Sequence, residues 1–227
     1  MRRSLVLALA LAGGAVAAPL AAQDARPGIA VLPFDNGGSY GQDKENFEAL
    51  RLGIPAMLAS ELARNTGLRL VDRTRTLSLL HDNGVPVGGR VDAGTAARVG
   101  KQAGARYMIM GTFIDFYGKF VVDARIVDVE SGEIVKVISS GQKDRSRLFE
   151  LIRSVAQQVT AGIEVAPLPA AARERAIPTE ALTLYSLGLL YEDRGDRTRA
   201  AEHYQRALSA LPEYAEARDG LRRVRPT

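Results

Sequence analysis

The sequence predicts an α/β fold: a mixed sheet with an antiparallel meander and packed helices, followed by a small all-α helical hairpin. Three observations predict it. Short continuous apolar runs alternate with helix-period segments through the first half, beginning with Ile29-Ala30-Val31-Leu32-Pro33-Phe34. The period then falls to two, with Phe120, Val122, Ala124 and Ile126 pointing one way and Asp123 and Arg125 the other. Beyond a break at Pro167 and Pro169 the pattern is helical only.

Each element follows in order. Ile29 to Phe34 reads as a buried strand, and the Gly- and Asn-containing stretch after it as a loop. Phe47, Leu50, Ile54, Met57, Leu58 and Leu62 recur at helical spacing, with Pro55 either opening the main helix or kinking it. Leu68 to Val71 is a second short strand. Thr74 is expected to cap a short helix carrying Leu77 and Leu80, and Asp92 a third helix with Ala96, Val99 and Ala103 on one face. Arg106 to Phe116 is strand-like, and Gly118 marks a tight turn. Glu130-Ser131-Gly132 joins the next strand to a return strand over Ile134 to Ser140. Asp144 or Ser146 is expected to cap a helix with Leu148, Leu151, Ile152, Val155, Val159 and Ile163 on one side.

Composition excludes several chemistries. The 227 residues contain no cysteine, so disulfides, thiolate metal sites, cysteine nucleophiles and a lipidated cysteine are ruled out. The net charge of +4 falls by two if Arg2 and Arg3 are removed, which gives no reason to expect nucleic acid as partner. Arg2-Arg3, the apolar run Leu5 to Leu11 and the Ala-rich exit to Gln23 predict a cleaved signal peptide over 1–23 and a periplasmic mature chain. No later segment suggests membrane insertion.

Four segments carry a family resemblance in order. They are Ile29 to Phe34, Gly67-Leu68-Arg69-Leu70-Val71-Asp72-Arg73, Ala103 to Gly111, and Ala124-Arg125-Ile126-Val127-Asp128-Val129-Glu130-Ser131-Gly132-Glu133. Together they resemble the CsgG-like periplasmic domain, whose pattern is shared with TolB amino-terminal and FlgO-type domains. The resemblance covers 27–165. It implies an α/β domain without catalytic residues, used for protein contacts at the envelope. The channel members' lipidated cysteine is absent here, and the loops at Tyr117-Gly118-Lys119 and Glu130-Ser131-Gly132 carry no membrane-spanning hairpins. Pore formation is therefore not carried over.

After a linker over 166–177, the region 178–227 holds Leu184, Leu187, Gly188, Tyr191, Ala200, Tyr204, Ala207 and Pro212. Their spacing resembles one tetratricopeptide repeat followed by a capping helix. Gly188 and Ala200 would let two helices approach, with Tyr191 and Tyr204 filling the seam. A lone repeat must lean on the first domain, another copy or a partner, so a homo-oligomer stays open. Leu182, Tyr185, Leu189 and Glu192 avoid these packing positions. They would line a protein-binding groove, or else pack on the first domain.

No catalytic, metal or cofactor site is expected. His81 and His203 form no triad, and Asp115, Asp123 and Asp128 suit solvated strand positions. The sequence thus predicts an exported, non-enzymatic protein-interaction adaptor in cell-envelope assembly or secretion. Two rivals stand beside it: an activator of peptidoglycan synthases, and a small-ligand-binding protein or hydrolase using the loop Gly37 to Gly41.

Overall fold

The computed structural model describes residues 24–39, 43–86, 88–168 and 175–225. The expected signal peptide, Tyr40 and Gly41 of the glycine loop and part of the linker lie outside the described residues. Six strands and seven α-helices are present among them. In chain order they are β1 (Gly28–Val31), β2 (Asp35–Asn36), α1 (Lys44–Ala63), β3 (Arg69–Leu70), α2 (Arg73–Asp82), α3 (Ala93–Ala103), β4 (Tyr107–Phe116), β5 (Lys119–Asp128), β6 (Ile134–Asp144), α4 (Leu148–Gly162), α5 (Thr179–Asp193), α6 (Arg197–Ala210) and α7 (Ala215–Val224).

The sheet runs β3-β1-β4-β5-β6. β1 lies parallel to β3 and β4, and β4, β5 and β6 form the antiparallel meander. Tyr117 (φ 51°) and Gly118 (φ 82°) make the two-residue turn between β4 and β5. Positive φ at both central positions matches the twist of the flanking strands.

Three local expectations are corrected. The stretch after Phe34 is not all loop, because Asp35 and Asn36 pair with Thr112 and Phe113 of β4. Asp72, not Thr74, caps α2, and its carboxylate accepts from the Arg75 amide at 3.1 Å. Neither Asp144 nor Ser146 caps α4, since a 3-10 turn over Arg145–Arg147 leads into it without a side-chain cap.

Pro55 sits inside an uninterrupted α1. Proline lacks the amide that would bond the Arg51 carbonyl four residues back. Phe34 supplies the missing donor, its amide reaching that carbonyl at 2.9 Å. The Arg51 side chain returns the link by donating to the Phe34 carbonyl at 3.2 Å and to the Gly88 carbonyl at 2.8 Å. A residue that would break a free helix here staples the exit of β1 to the middle of α1.

Each sheet face has its own core. On one face Ala30, Leu32, Met108 and Val127 pack under Leu80 of α2 and Ala96 and Val99 of α3. On the other, Ile109, Phe113, Val122, Ala124 and Ile126 pack under α1 and α4, and the same apolar cluster continues without a break into α5, α6 and α7. α1 is therefore a middle layer, buried on both sides. It meets α5 at Gly53, where an added Cβ would lie 1.7 Å from the Ser186 hydroxyl oxygen.

A charged cluster closes this junction. Arg175 donates to Glu61 at 3.1 Å and to Glu216 at 2.8 Å, and Ser60 also bonds Glu216. Burial pushes the Glu216 carboxyl up, but the bonds from Arg175 and Ser60 win and hold it below the usual glutamate range. With a lowered folded pKa, Glu216 stabilises the fold above the unfolded value of about 4.3, and this is lost as pH falls through the folded value. Arg175→Gln is expected to cost about 2 to 3 kcal/mol at neutral pH, because Glu61 and Glu216 stay half-compensated. Urea melts should show that cost shrinking in acid. A cost under about 0.5 kcal/mol at pH 7 would mean that solvent already screens the cluster.

Candidate functional site

The helical hairpin does not offer the groove expected of it. Leu182, Tyr185 and Leu189 are all buried. Leu182 and Leu189 share the stripe of Ser186, which α1 covers, while Tyr185 packs between Tyr204 and Tyr214 with ring centroids 5.9 and 5.3 Å away. Glu192 is not free either. It accepts from the Tyr204 hydroxyl at 2.5 Å and from Arg223 at 2.8 Å. Tyr185 and Glu192 meet Tyr204 of α6, and α1 and α7 occupy the rest of the surface these residues would have lined.

The seam itself is glycine on tyrosine. A Cβ on Gly188 would lie 2.4 Å from the Tyr204 ring, and one on Gly220 of α7 2.5 Å from it. Tyr204 is thus clamped between two glycines, with Ala200 and Ala207 fully buried on either side of it along α6. Leu184 and Leu187 are buried near His203 at the rim of a cleft, and Tyr191 stacks on the His203 ring and donates to Glu45 at 2.5 Å. Pro212 follows α6, and its carbonyl accepts from Arg218 at 2.9 Å.

The glycine loop has already committed its donors. The Gly37 amide bonds the Phe113 carbonyl at 2.8 Å, and the Gly38 and Ser39 amides both bond the Asn36 side chain. None of these three points outward to cradle a phosphate. The strand carboxylates are engaged as well, and Asp115 and Asp128 are buried, not solvated as their positions suggested. Asp115 pairs with Arg145, Asp123 accepts from Ser139 at 2.7 Å, and Asp128 accepts from the Glu130 amide at 2.8 Å and pairs with Arg106.

What remains open is half of one sheet face. α2 and α3 cover it only near β1 and the start of β4. Beyond them, burial alternates along the strands. Ile109, Phe113 and Asp115 are buried, whereas Met110, Thr112, Ile114 and Phe116 are partly or largely exposed. Val121, Asp123 and Arg125 of β5 continue the open side. The register sets Met110, Arg125 and Val137 in one row and Thr112, Asp123 and Ser139 in the next. Val137 is 66% exposed, Phe116 60% and Tyr117 93%. Exposed apolar side chains alternate here with the polar Thr112, Asp123, Arg125 and Ser139, which makes this plane the candidate contact surface of the described residues.

Two adjoining hollows lie on this plane, of about 150 and 210 Å3. Both include Gly111, Thr112 and Arg125. The first extends to Val137 and the second to Pro33, Arg90 and Val91. Arg125 is exposed, and its side chain has no hydrogen bond or ion pair among the described residues. Arg90 reaches Asp35 only at 3.9 Å. Sequence reasoning missed this site. Its one signal was the apolar alternate register Met110, Ile114 and Val121, which reads equally well as a second buried face.

No protein-family model and no curated protein matches the sequence. Solved structures do. The chain is similar to the C-terminal domain of LpoB from Escherichia coli, at 16% identity and a TM-score of 0.40, over 52% of this chain and 83% of that one. The LpoB C-terminal domain from Salmonella enterica matches with the same figures. TolB from Acinetobacter baumannii is matched at 18% identity and a TM-score of 0.38, over 62% of this chain and 28% of that one. Likeness at this level carries no argument about activity. Among the described residues no helix is long and apolar enough to cross a membrane.

Proposed function

We propose that this protein is an exported, non-enzymatic adaptor of the cell envelope, which holds a protein partner against its uncovered half-sheet. One observation carries the proposal: a three-stranded surface exposes Phe116 and Val137 with Met110, Ile114 and Val121 beside them, and no element among the described residues covers it. In this reading the CsgG-like and TolB-like lobe presents the surface. The single tetratricopeptide unit, α5 and α6, serves as an internal brace behind α1. The signal peptide delivers the chain to the periplasm and is removed there.

The test is photocrosslinking in the native host. A benzoylphenylalanine in place of Val121 is expected to trap a protein of the envelope, and the same group in place of Glu202, exposed on α6, to trap none. Equal capture at both positions, or none at Val121, overturns the proposal. A trapped peptidoglycan synthase would assign the activator role, and a secretion component the secretion role.

A further inference from the structure

We infer that the segment seated on the half-sheet is an amphipathic helix of about 13 residues, with acidic side chains flanking its apolar stripe. This rests on the protein-binding reading above and names the partner's chemistry. Three strands spaced about 4.8 Å apart and four exposed rows two residues apart give a plane of roughly 14 by 20 Å. A helix is about 10 Å across and rises 1.5 Å per residue, so about 13 residues fill that length. The plane, a footprint on the order of 300 Å2, is one that a single helix fills. A docked helix continues the layer that α2 and α3 begin, since the second hollow reaches Val91 in the connection between them.

Strand addition at the free edge is the competing geometry, and β6 is built against it. Its ladder with β5 is irregular on either side of Lys136–Ser139, once at Val135 and again at Ser140 and Gly141, where Gly141 has φ 70°. Gln158 of α4 also donates to the Ser139 carbonyl at 3.3 Å. Bulges and covered carbonyls are the features that blunt an edge. Only four regular residues are left for an incoming strand.

The charge of the surface selects the flanks. The Arg125 side chain stands unpaired on the central strand, in the row of Met110 and Val137 nearest the α2 and α3 layer, and Arg90 rims the second hollow. Of the two carboxylates beside them, Asp123 is held by Ser139, and Asp35, which lines the second hollow, lies closer to Arg51, at 3.6 Å, than to Arg90, at 3.9 Å. Acidic residues one turn from the apolar stripe would pair with these guanidiniums, while the hollows take two branched or aromatic anchors. A second copy of the same plane would bring arginine to arginine.

Mass-spectrometric mapping of the adduct formed at position 121 of the full chain tests this. The crosslinked segment is expected to carry apolar residues at i, i+3 or i+4 and i+7, with Asp or Glu beside them. Arg125→Glu should lower the adduct yield at least tenfold and Arg125→Lys by less than threefold, with the thermal midpoint unchanged in both. A segment with strictly alternating apolar residues, an adduct to another copy of this chain, or an Arg125→Glu yield equal to wild type overturns the inference while leaving a protein-binding surface. No protein adduct at all overturns both.

Discussion

Gly53→Leu is expected to lower the thermal midpoint by about 10 °C and to loosen the α5–α7 hairpin from the rest of the chain. The space at this crossing is already taken. Even a single Cβ would lie 1.7 Å from the Ser186 hydroxyl oxygen, 2.5 Å from its Cβ and 3.2 Å from its Cα. The last of these is backbone, so no rotamer change relieves it and the two helices must part. Overpacking of a close helix contact costs about 3 kcal/mol, and a domain of this size loses about 2 to 4 °C per kcal/mol. The pair Gly53→Ala and Ser186→Gly supplies the control. Moving the small residue from one helix to the other removes the 1.7 and 2.5 Å clashes and leaves the 3.2 Å contact, so the double variant should be more stable than Gly53→Ala alone. A midpoint shift below about 2 °C for Gly53→Leu would show that the helices do not cross here.

The second large effect decides between the two readings the sequence left for the hairpin. As groove residues, Tyr185 and Leu189 could be cut to alanine without loss of stability. The structure buries both, so Tyr185→Ala with Leu189→Ala is expected to unfold the chain or leave it barely folded. Leu189 is 1% exposed, and its truncation alone is worth about 3 kcal/mol. Losing Tyr185 empties the space between Tyr204 and Tyr214, for a similar cost. The sum approaches the whole stability of an ordinary domain, about 5 to 15 kcal/mol. Far-ultraviolet circular dichroism during urea titration decides it. A double variant as stable as wild type would return both residues to the surface.

The pattern of elements was legible because each depends on local signals. The period of two over Phe120 to Ile126, the turn at Gly118 and the helical stripe from Leu148 to Val159 all appear in the structure at those positions. Asp92 caps α3 through a 2.8 Å bond from the Thr95 amide. Strand β2 was not legible, because two polar residues pair only through backbone with β4. The layer order was hidden for a related reason. Phe47, Ile54 and Leu58 announce an apolar helix, yet nothing in their spacing says that α5 will close on the opposite side at Gly53. A glycine in mid-helix reads as a weak point until its neighbour is seen. The open half-sheet was illegible for a different reason: Asp123 and Arg125 turn outward by their alternation, but nothing in the spacing says that Met110, Ile114, Phe116 and Val137 share their side with no described helix above them.

The placement of α1 between the sheet and the hairpin also sets an order of events. The Tyr214 hydroxyl meets the Met57 sulfur across 157 positions, and Tyr191 meets Glu45 across 146. Contacts of such sequence separation close late, because the loop entropy must be overcome before they reward the chain. Until the final fifty or so residues are available, one side of α1 has nothing to bury against. The amino-terminal lobe would then hold an exposed apolar helix at its centre and remain incompletely set. The lobe stays pliable until α5, α6 and α7 are in place, and locks only when they close on α1.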